Sequence, residues 1–310
     1  MRAPSPLLIA AFGVFCGCMI DAIIKGLSTE INVAVITLWR FIFGGLYSGG
    51  LYLISRRVRP GAAAIRFHTM RGAIQVVAAL AFFYALTQLG LAEATVLGFT
   101  AALMISPIAR IVLKEKLNRL SVLAAILGFA GAAFAVHGAA GDGPPDGDRV
   151  LGVVAVLASA LAYATAVVLL RLRTRSEDSL TIVMFSNVMP ALILIALAGV
   201  TEVSGYGAVF QFTPPLDQLP ILAMLGLFGM GIWWMFTLAY ARAPAQRLAP
   251  LEYTALIWAS LLGFIFFRET PGWQLYAGAI IIIAACMIVA FESHFSARRE
   301  ARLPTSDILD

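Results

Sequence analysis

The amino-acid sequence predicts an all-α membrane protein with ten transmembrane helices in two inverted five-helix repeats. Three observations support this fold class: a very apolar composition, ten apolar segments with short connections, and a pattern in the first half that recurs in the second. Of the 310 residues, 61% are hydrophobic and 13% are charged, and the mean hydropathy is +0.90. Soluble domains contain roughly 45–50% apolar residues, so this composition excludes an ordinary soluble enzyme.

Ten segments have approximately the length that a membrane-spanning helix needs. A helix rises about 1.5 Å per residue and therefore crosses roughly 30 Å of hydrocarbon in about 20 residues. The first segment exceeds the roughly 7–15 apolar residues of a signal-peptide core, so we interpret it as a retained helix. Very short connections, such as 90–92, indicate helical hairpins in one bundle. We predict spans at 7–26, 33–54, 71–89, 93–113, 120–137, 150–170, 181–199, 219–240, 248–267 and 273–291.

The positions of the basic residues indicate how the spans are oriented. Short cytoplasmic loops accumulate Lys and Arg, whereas translocated loops do not. With a cytoplasmic N-terminus, most of the 22 Lys and Arg residues fall inside, including Arg66 and Arg71 before span 3, and only Arg149 and Arg268 fall outside. This pattern predicts a multi-pass protein of the bacterial inner membrane with both termini cytoplasmic. The net charge of +5 is spread over these clusters, so it does not indicate a nucleic-acid partner.

Two parts of the chain match each other at one constant offset. Lys114-Glu115 aligns with Arg268-Glu269, and Phe99-Thr100-Ala101 aligns with Tyr253-Thr254-Ala255. A five-span unit crosses the membrane an odd number of times, so its second copy must enter from the opposite side. We therefore expect a first repeat at 7–137, a second at 150–291 and a cytoplasmic tail at 296–310. Inverted repeats are typical of secondary transporters, whose site lies near the midplane between the halves.

Several short motifs accompany this topology. They are Trp39-Arg40-Phe41, Ala92-Glu-Ala-Thr95, Leu-Lys-Glu-Lys-Leu at 113–117, Ala-Pro-Leu-Glu-Tyr at 249–253 and Phe-Arg-Glu-Thr-Pro at 267–271. With the ten spans, they resemble the drug/metabolite transporter superfamily, specifically its EamA type with two EamA repeats. The resemblance implies a secondary active transporter that moves a small organic metabolite by alternating access. Members carry amino acids, their derivatives, vitamins, nucleosides and drugs, and the fold does not decide among them.

Two further segments, Asp21-Ala-Ile-Ile-Lys25 and the Leu-Glu-Tyr of span 9, look like a particular branch of that superfamily. This branch contains carriers of S-adenosylmethionine and of vitamins such as riboflavin. The resemblance therefore implies an amino acid, an amino-acid derivative or a vitamin as the substrate. It also leaves open whether the transporter imports or exports.

Charged residues inside the predicted spans are candidates for substrate binding or coupling, because an unpaired charge in hydrocarbon is costly. Asp21 and Lys25 lie one helical turn apart in the outer half of span 1, and Arg40 lies in span 2 near the same side. The three can form a cluster that binds a substrate carboxylate or amine, or that couples a proton through Asp21. The alternative is a structural ion pair between the two spans, with Lys25 extending outward to water.

Further candidates occur in spans 3, 4, 6 and 9. Glu252 and Tyr253 follow Pro250 and can form a gate or contact the substrate. The alternative is that Glu252 lies at the membrane interface and pairs with a basic residue there. Glu93 opens span 4, where it either contacts substrate or complements the helix dipole. Aromatic rings well inside the spans can stack on a planar substrate, although the same residue types form interfacial belts. These rings belong to Tyr84, Tyr163 and Trp258.

The sequence contains no legible catalytic constellation. Clustered His residues, paired carboxylates, metal-ligand spacing and a Gly-rich phosphate loop are all missing from the pattern. We therefore expect no enzymatic activity, cofactor or metal ion, and we interpret His68 and His137 as interfacial residues at span ends. The alternative function is an integral membrane enzyme acting on lipid-linked substrates. The expected partners are a small-molecule substrate, the lipid bilayer and a coupling proton, for a monomer or homodimer.

Overall fold

The structure is a computed structural model that describes residues 6–55, 60–112, 114, 119–138, 147–171, 177–204, 214, 216–242 and 253–300. Within these ranges, the regular secondary structure consists of α-helices and one short 3-10 helix at Leu216–Gln218. The helices are α1 (Pro6–Leu27), α2 (Val33–Ile54), α3 (Ala62–Gln88), α4 (Leu91–Gly98), α5 (Thr100–Val112), α6 (Arg119–Gly138), α7 (Arg149–Arg171), α8 (Ser179–Val203), α9 (Leu219–Arg242), α10 (Ala255–Phe267) and α11 (Trp273–Glu300).

The predicted all-α membrane fold with ten spans is confirmed. In the described part of the chain, seven helical stretches are long and apolar enough to cross a membrane, and three shorter apolar helical stretches complete the set. Spans 1 to 3 are α1 to α3, and span 4 consists of α4 and α5 together. Spans 5 to 10 are α6 to α11 in order.

Span 3 begins earlier than predicted, because α3 starts at Ala62 and runs through Arg71. The predicted start at Arg71 was wrong, and His68 is buried rather than interfacial. Partners on and just before α8 bond to both side chains, although the buried Nε of Arg71 has no hydrogen-bond partner among the described residues. The Arg71 guanidinium donates to Ser186 Oγ at 2.6 Å, and His68 Nε2 lies 2.6 Å from a carboxylate oxygen of Glu177. A charged residue can therefore lie within this helix, because a segment distant in the sequence supplies its partners.

The helices of the two halves pack in a pattern that is nearly unchanged when each helix is exchanged for its counterpart five spans later. α6 packs along α11, and α2 packs along α8, so these helices contact their own counterparts. The packing of α3 against α7 is matched by that of α9 against α1, and α2 against α9 is matched by α8 against α3. Such a pattern is expected of two repeats related by a pseudo-twofold axis in the membrane plane.

The first residues of the two aligned dipeptides share an unusual backbone conformation. Lys114 and Arg268 both have a φ of 57°, in the left-handed region that residues other than glycine rarely adopt. No other non-glycine residue in the described ranges has a positive φ. The equivalence that the sequence alignment suggested is therefore also present in the local backbone geometry.

Span 4 is interrupted at Phe99, between the end of α4 and the start of α5, whereas a continuous helix was predicted. The Thr100 hydroxyl donates to the Leu97 carbonyl at 2.6 Å, and such side-chain bonds compete with helical backbone bonding. In span 9, α10 begins at Ala255 directly after a turn at Tyr253. Both irregularities therefore lie at the same position of the repeat. Part of the predicted ninth span, 248–252, lies outside the described residues.

Candidate functional site

Phe99 and Tyr253 contact each other edge to face, with ring centroids 5.3 Å apart and an interplanar angle of 89°. They occupy equivalent positions in the two repeats, and a residue that contacts its own counterpart lies near the twofold axis. At 1.5 Å per residue, Phe99 lies about 12 Å from Leu91, where its span begins, and Tyr253 about 21 Å from Phe267, where α10 ends. The pair therefore straddles the middle of a core roughly 30 Å thick.

A second aromatic pair lies beside this axis, where α1 packs against α10. The rings of Phe15 and Trp258 meet edge to face with centroids 4.9 Å apart. Next to them, the Cys18 thiol donates to the Ala255 carbonyl at 3.5 Å. Trp258 is only part-buried. The predicted residues Tyr253 and Trp258 are thus brought to one region together with Phe15 and Phe99, which the sequence analysis did not select.

Asp21 and Arg40 lie at similar depth and interact electrostatically. Counting residues from Leu27, where α1 ends, and from Val33, where α2 begins, places them about 9 Å and about 10 Å deep. Both are part-buried. Among the described residues, neither forms an ion pair, and the buried Nε of Arg40 lacks a hydrogen-bond acceptor. The bundle therefore holds two opposite charges whose hydrogen-bonding capacity the described protein groups leave largely unused.

Two aromatic rings contact the Arg40 guanidinium, and a glycine on α9 leaves space for it. Its central carbon lies 4.7 Å from the centroid of the Phe41 ring and 5.5 Å from that of Phe83, within cation–π range. A Cβ atom added at Gly229 would lie 3.1 Å from a terminal guanidinium nitrogen. The glycine thus leaves room for the charged group between α2 and α9.

We expect Gly229→Val to lower uptake by about tenfold or more, because displacing a charged hydrogen-bond donor costs about 1.5–3 kcal/mol. Initial uptake rates in proteoliposomes at matched protein content would measure the effect. Gly231→Ala is the matched control, since a Cβ atom there meets nothing within 4 Å. Equal rates for the two variants would show that Gly229 does not position Arg40.

Lys25 lies nearer the end of α1 than Asp21 and pairs with a residue of the second repeat. Its ammonium is 2.7 Å from Glu269 Oε1, and both side chains are 7% exposed. The ammonium also donates to the Leu89 carbonyl, while Glu269 Oε2 accepts from the Leu91 backbone N–H at 2.7 Å. The structure thus separates Lys25 from the other two members of the expected cluster.

Glu93 is buried in the first turn of α4 and pairs with Arg149 at the start of α7. The guanidinium donates to Glu93 Oε1 from Nη2 at 2.9 Å and from Nε at 3.1 Å. Arg149 also donates to the Val136 carbonyl at the end of α6. Neither Arg149 nor Glu269 was among the site residues predicted from the sequence. The signal that could have identified them is the scarcity of basic residues in the predicted outside loops. Arg149 and Arg268, which precedes Glu269, are the two basic residues predicted there.

Two further predicted site residues have largely exposed side chains. Tyr84 on α3 and Tyr163 on α7 are 38% and 45% exposed, as expected of side chains that face lipid or an open cavity. Glu252 lies outside the described residues. The candidate site therefore consists of Asp21, Arg40, Phe99, Tyr253 and Trp258, with Phe15 beside them.

The sequence profile of the EamA-like transporter family matches residues 4–136 and 150–291. The chain belongs to the EamA-like transporter family. This confirms the resemblance seen in the motifs. The EamA-like transporter is a multi-pass membrane protein for a small-molecule substrate.

Named relatives of this EamA-like transporter are similar along most of its length. A riboflavin transporter from Brucella anthropi is 26% identical over 285 residues, which cover 90% of this chain and 95% of the relative. An S-adenosylmethionine uptake transporter from Rickettsia bellii is 22% identical over 271 residues, covering 87% and 88%. A solved crystal structure has a TM-score of 0.59 at 19% identity, covering 94% of this chain and 98% of the other, and it supports the same fold.

Proposed function

We propose that this transporter moves a zwitterionic amino-acid derivative that also carries a planar ring, with S-adenosylmethionine as the first candidate. The observation that carries this proposal is the pair of opposite charges, Asp21 and Arg40, without ion-pair partners among the described residues. Holding such charges inside a bilayer is unfavourable unless they are hydrated or paired. A ligand with one group of each sign satisfies both, and the relative from Rickettsia bellii is named for such a compound.

The chemistry of the site matches an α-amino acid moiety. A guanidinium offers two parallel N–H donors to a carboxylate, which is a strong and directional contact. Asp21 offers a carboxylate to the substrate ammonium at about the same depth. The rings of Phe99, Tyr253 and Trp258 lie deeper and offer faces or edges to a heteroaromatic group. A proton on Asp21 competes with the substrate ammonium, so we propose Asp21 as the coupling residue.

The transport cycle we propose is alternating access at the inner membrane, with both termini cytoplasmic. The repeats at 7–137 and 150–291 rock about the axis at Phe99 and Tyr253, and the tail at 296–310 stays cytoplasmic. The assembly we propose is a monomer or a homodimer. Inverted symmetry gives both membrane faces a similar path, and the substrate gradient then sets the direction.

A second candidate substrate is riboflavin. It is favoured by the four part-buried aromatic residues at the axis and by the name of the Brucella anthropi relative. Riboflavin has no carboxylate, so it leaves the Arg40 guanidinium without its ionic partner. The two candidates are therefore separable by experiment.

Uptake of radiolabelled S-adenosylmethionine into proteoliposomes, with and without an imposed proton gradient, tests the proposal. We expect saturable uptake that excess unlabelled S-adenosylmethionine abolishes and that riboflavin leaves unchanged. Inhibition by riboflavin with equal potency would favour the second candidate. Absence of saturable flux for both compounds would contradict the proposed substrate class.

A further inference from the structure

A buried network joins the outer ends of both repeats. We call it the outer network: Lys25 at the end of α1, Glu269 after α10, and the backbone groups of Leu89 and Leu91 between α3 and α4. The Lys25 ammonium lies 2.7 Å from Glu269 Oε1, and Glu269 Oε2 accepts the Leu91 N–H at 2.7 Å. Lys25 also donates to the Leu89 carbonyl. Each charged group is therefore bonded both to its counterion and to backbone of the first repeat.

The backbone around Glu269 directs its carboxylate into the bundle. Arg268 adopts the left-handed conformation, and the Glu269 N–H donates back to the Gly263 carbonyl at 3.1 Å. A Cβ atom at Gly263 would lie 2.6 Å from Glu269 Oε2. The glycine therefore leaves the space that the carboxylate occupies. This arrangement places an acidic group of the second repeat against the first.

The outer network lies between the outer membrane surface and the candidate site. Lys25 is about 3 Å from the outer end of α1, whereas Asp21, one turn deeper on the same face, is about 9 Å from it. Lys25 also contacts the Phe267 ring at 5.4 Å and interacts electrostatically with the buried Glu93. A path from the outside to Asp21 along this face of α1 is thus closed by the pair and its neighbours.

A buried ion pair contributes little net stability, because desolvation of the two charges offsets their attraction. It is nevertheless well suited to a contact that forms and breaks. When the outer helix ends separate, both charges become hydrated, and when the ends meet, each charge finds its counterion. Two arrangements of similar free energy are what a gate requires.

We propose that Lys25 and Glu269 form the outer gate of the transporter, in its closed state in this structure. The gate rests on the proposed transport function for its role, but not on the identity of the substrate. Removing one charge leaves the other buried without its ion-pair partner only when the gate is closed. Such a variant therefore shifts the population toward the outward-open state.

Cys18 provides a reporter of gate opening that needs no substrate. Its buried thiol lies one turn deeper than Asp21 and contacts the start of α10. With Cys16→Ser and Cys286→Ser as the background, a membrane-impermeant methanethiosulfonate added to right-side-out vesicles reaches Cys18 only through an open outer side. We expect Glu269→Gln and Lys25→Met each to accelerate labelling by about tenfold or more, and the swap Lys25→Glu with Glu269→Lys to return the rate toward that of the background.

Glu30→Gln is the matched control, since it removes an exposed outer charge whose carboxylate accepts a hydrogen bond from Gln218 Nε2 at 2.9 Å. Its labelling rate should equal that of the background. Unchanged labelling rates in both Glu269→Gln and Lys25→Met would overturn the gate. A charge swap that labels as fast as the single variants would also overturn it, because it would indicate general misfolding. If labelling accelerates as expected while Asp21 and Arg40 variants transport normally, the gate stands and the proposed substrate site fails.

Discussion

Asp21→Asn and Arg40→Gln are each expected to reduce uptake of a zwitterionic substrate by about 30-fold or more. Removing one partner of a buried charged contact costs about 2–5 kcal/mol, and about 1.4 kcal/mol corresponds to a factor of ten. Asp21→Asn preserves side-chain size, and Arg40→Gln shortens the side chain but keeps it polar, so helix packing should change little. Initial uptake rates and binding by isothermal titration, on protein that elutes as a single peak, would measure the loss.

The two variants should also fail in different ways, which a merely structural role would not produce. Arg40→Gln should bind S-adenosylmethionine and its decarboxylated analogue equally weakly, because the lost contact is to the carboxylate. Asp21→Asn should still prefer the carboxylate-bearing compound. The control Glu30→Gln removes a charge at the outer surface and should stay within about twofold. Normal flux in both site variants would refute the assignment.

The length and composition of the apolar segments were sufficient to predict the spans, because hydrocarbon thickness constrains every helix alike. The start of span 3 was missed for a reason that no local pattern shows. Because a charge in a span is costly, the pattern predicts Arg71 at the end of a loop. In the structure, Ser186 accepts a hydrogen bond from Arg71, and Glu177 pairs with His68 and attracts the Arg71 guanidinium from a distant segment. Such compensation is visible only once α3 and α8 are packed.

The candidate site shows the same division between local and long-range information. Helical spacing correctly puts Asp21 and Lys25 on one face, but it cannot show that Lys25 pairs with Glu269 near the other end of the chain. The repeat alignment paired Phe99 with Tyr253 as equivalent residues. Their direct contact follows from the position of the pseudo-twofold axis, which depends on how the halves pack.

Phe99→Ala and Tyr253→Ala should reduce transport by similar factors, of about ten to a hundred. Each removes a large ring from the axis, and truncating a well-packed aromatic residue typically costs several kcal/mol, only part of which changes the transport cycle. Because the two residues are counterparts across the axis, either truncation disturbs the same contact. The transport rate of the double variant should therefore stay within about twofold of that of the less active single variant. Such non-additivity is expected of contacting residues.

A peripheral aromatic pair of comparable geometry separates this role from general packing. Phe134 and Trp273 also meet edge to face, with centroids 6.0 Å apart, but they are 40% and 68% exposed. Phe134→Ala should leave the uptake rate within about twofold of wild type, since exposed truncations remove few contacts. Strictly additive losses for Phe99 and Tyr253, or an equal loss for Phe134, would show that the axis pair has no special part in transport. Non-additive losses confined to the axis would instead mark it as the point about which the two repeats move.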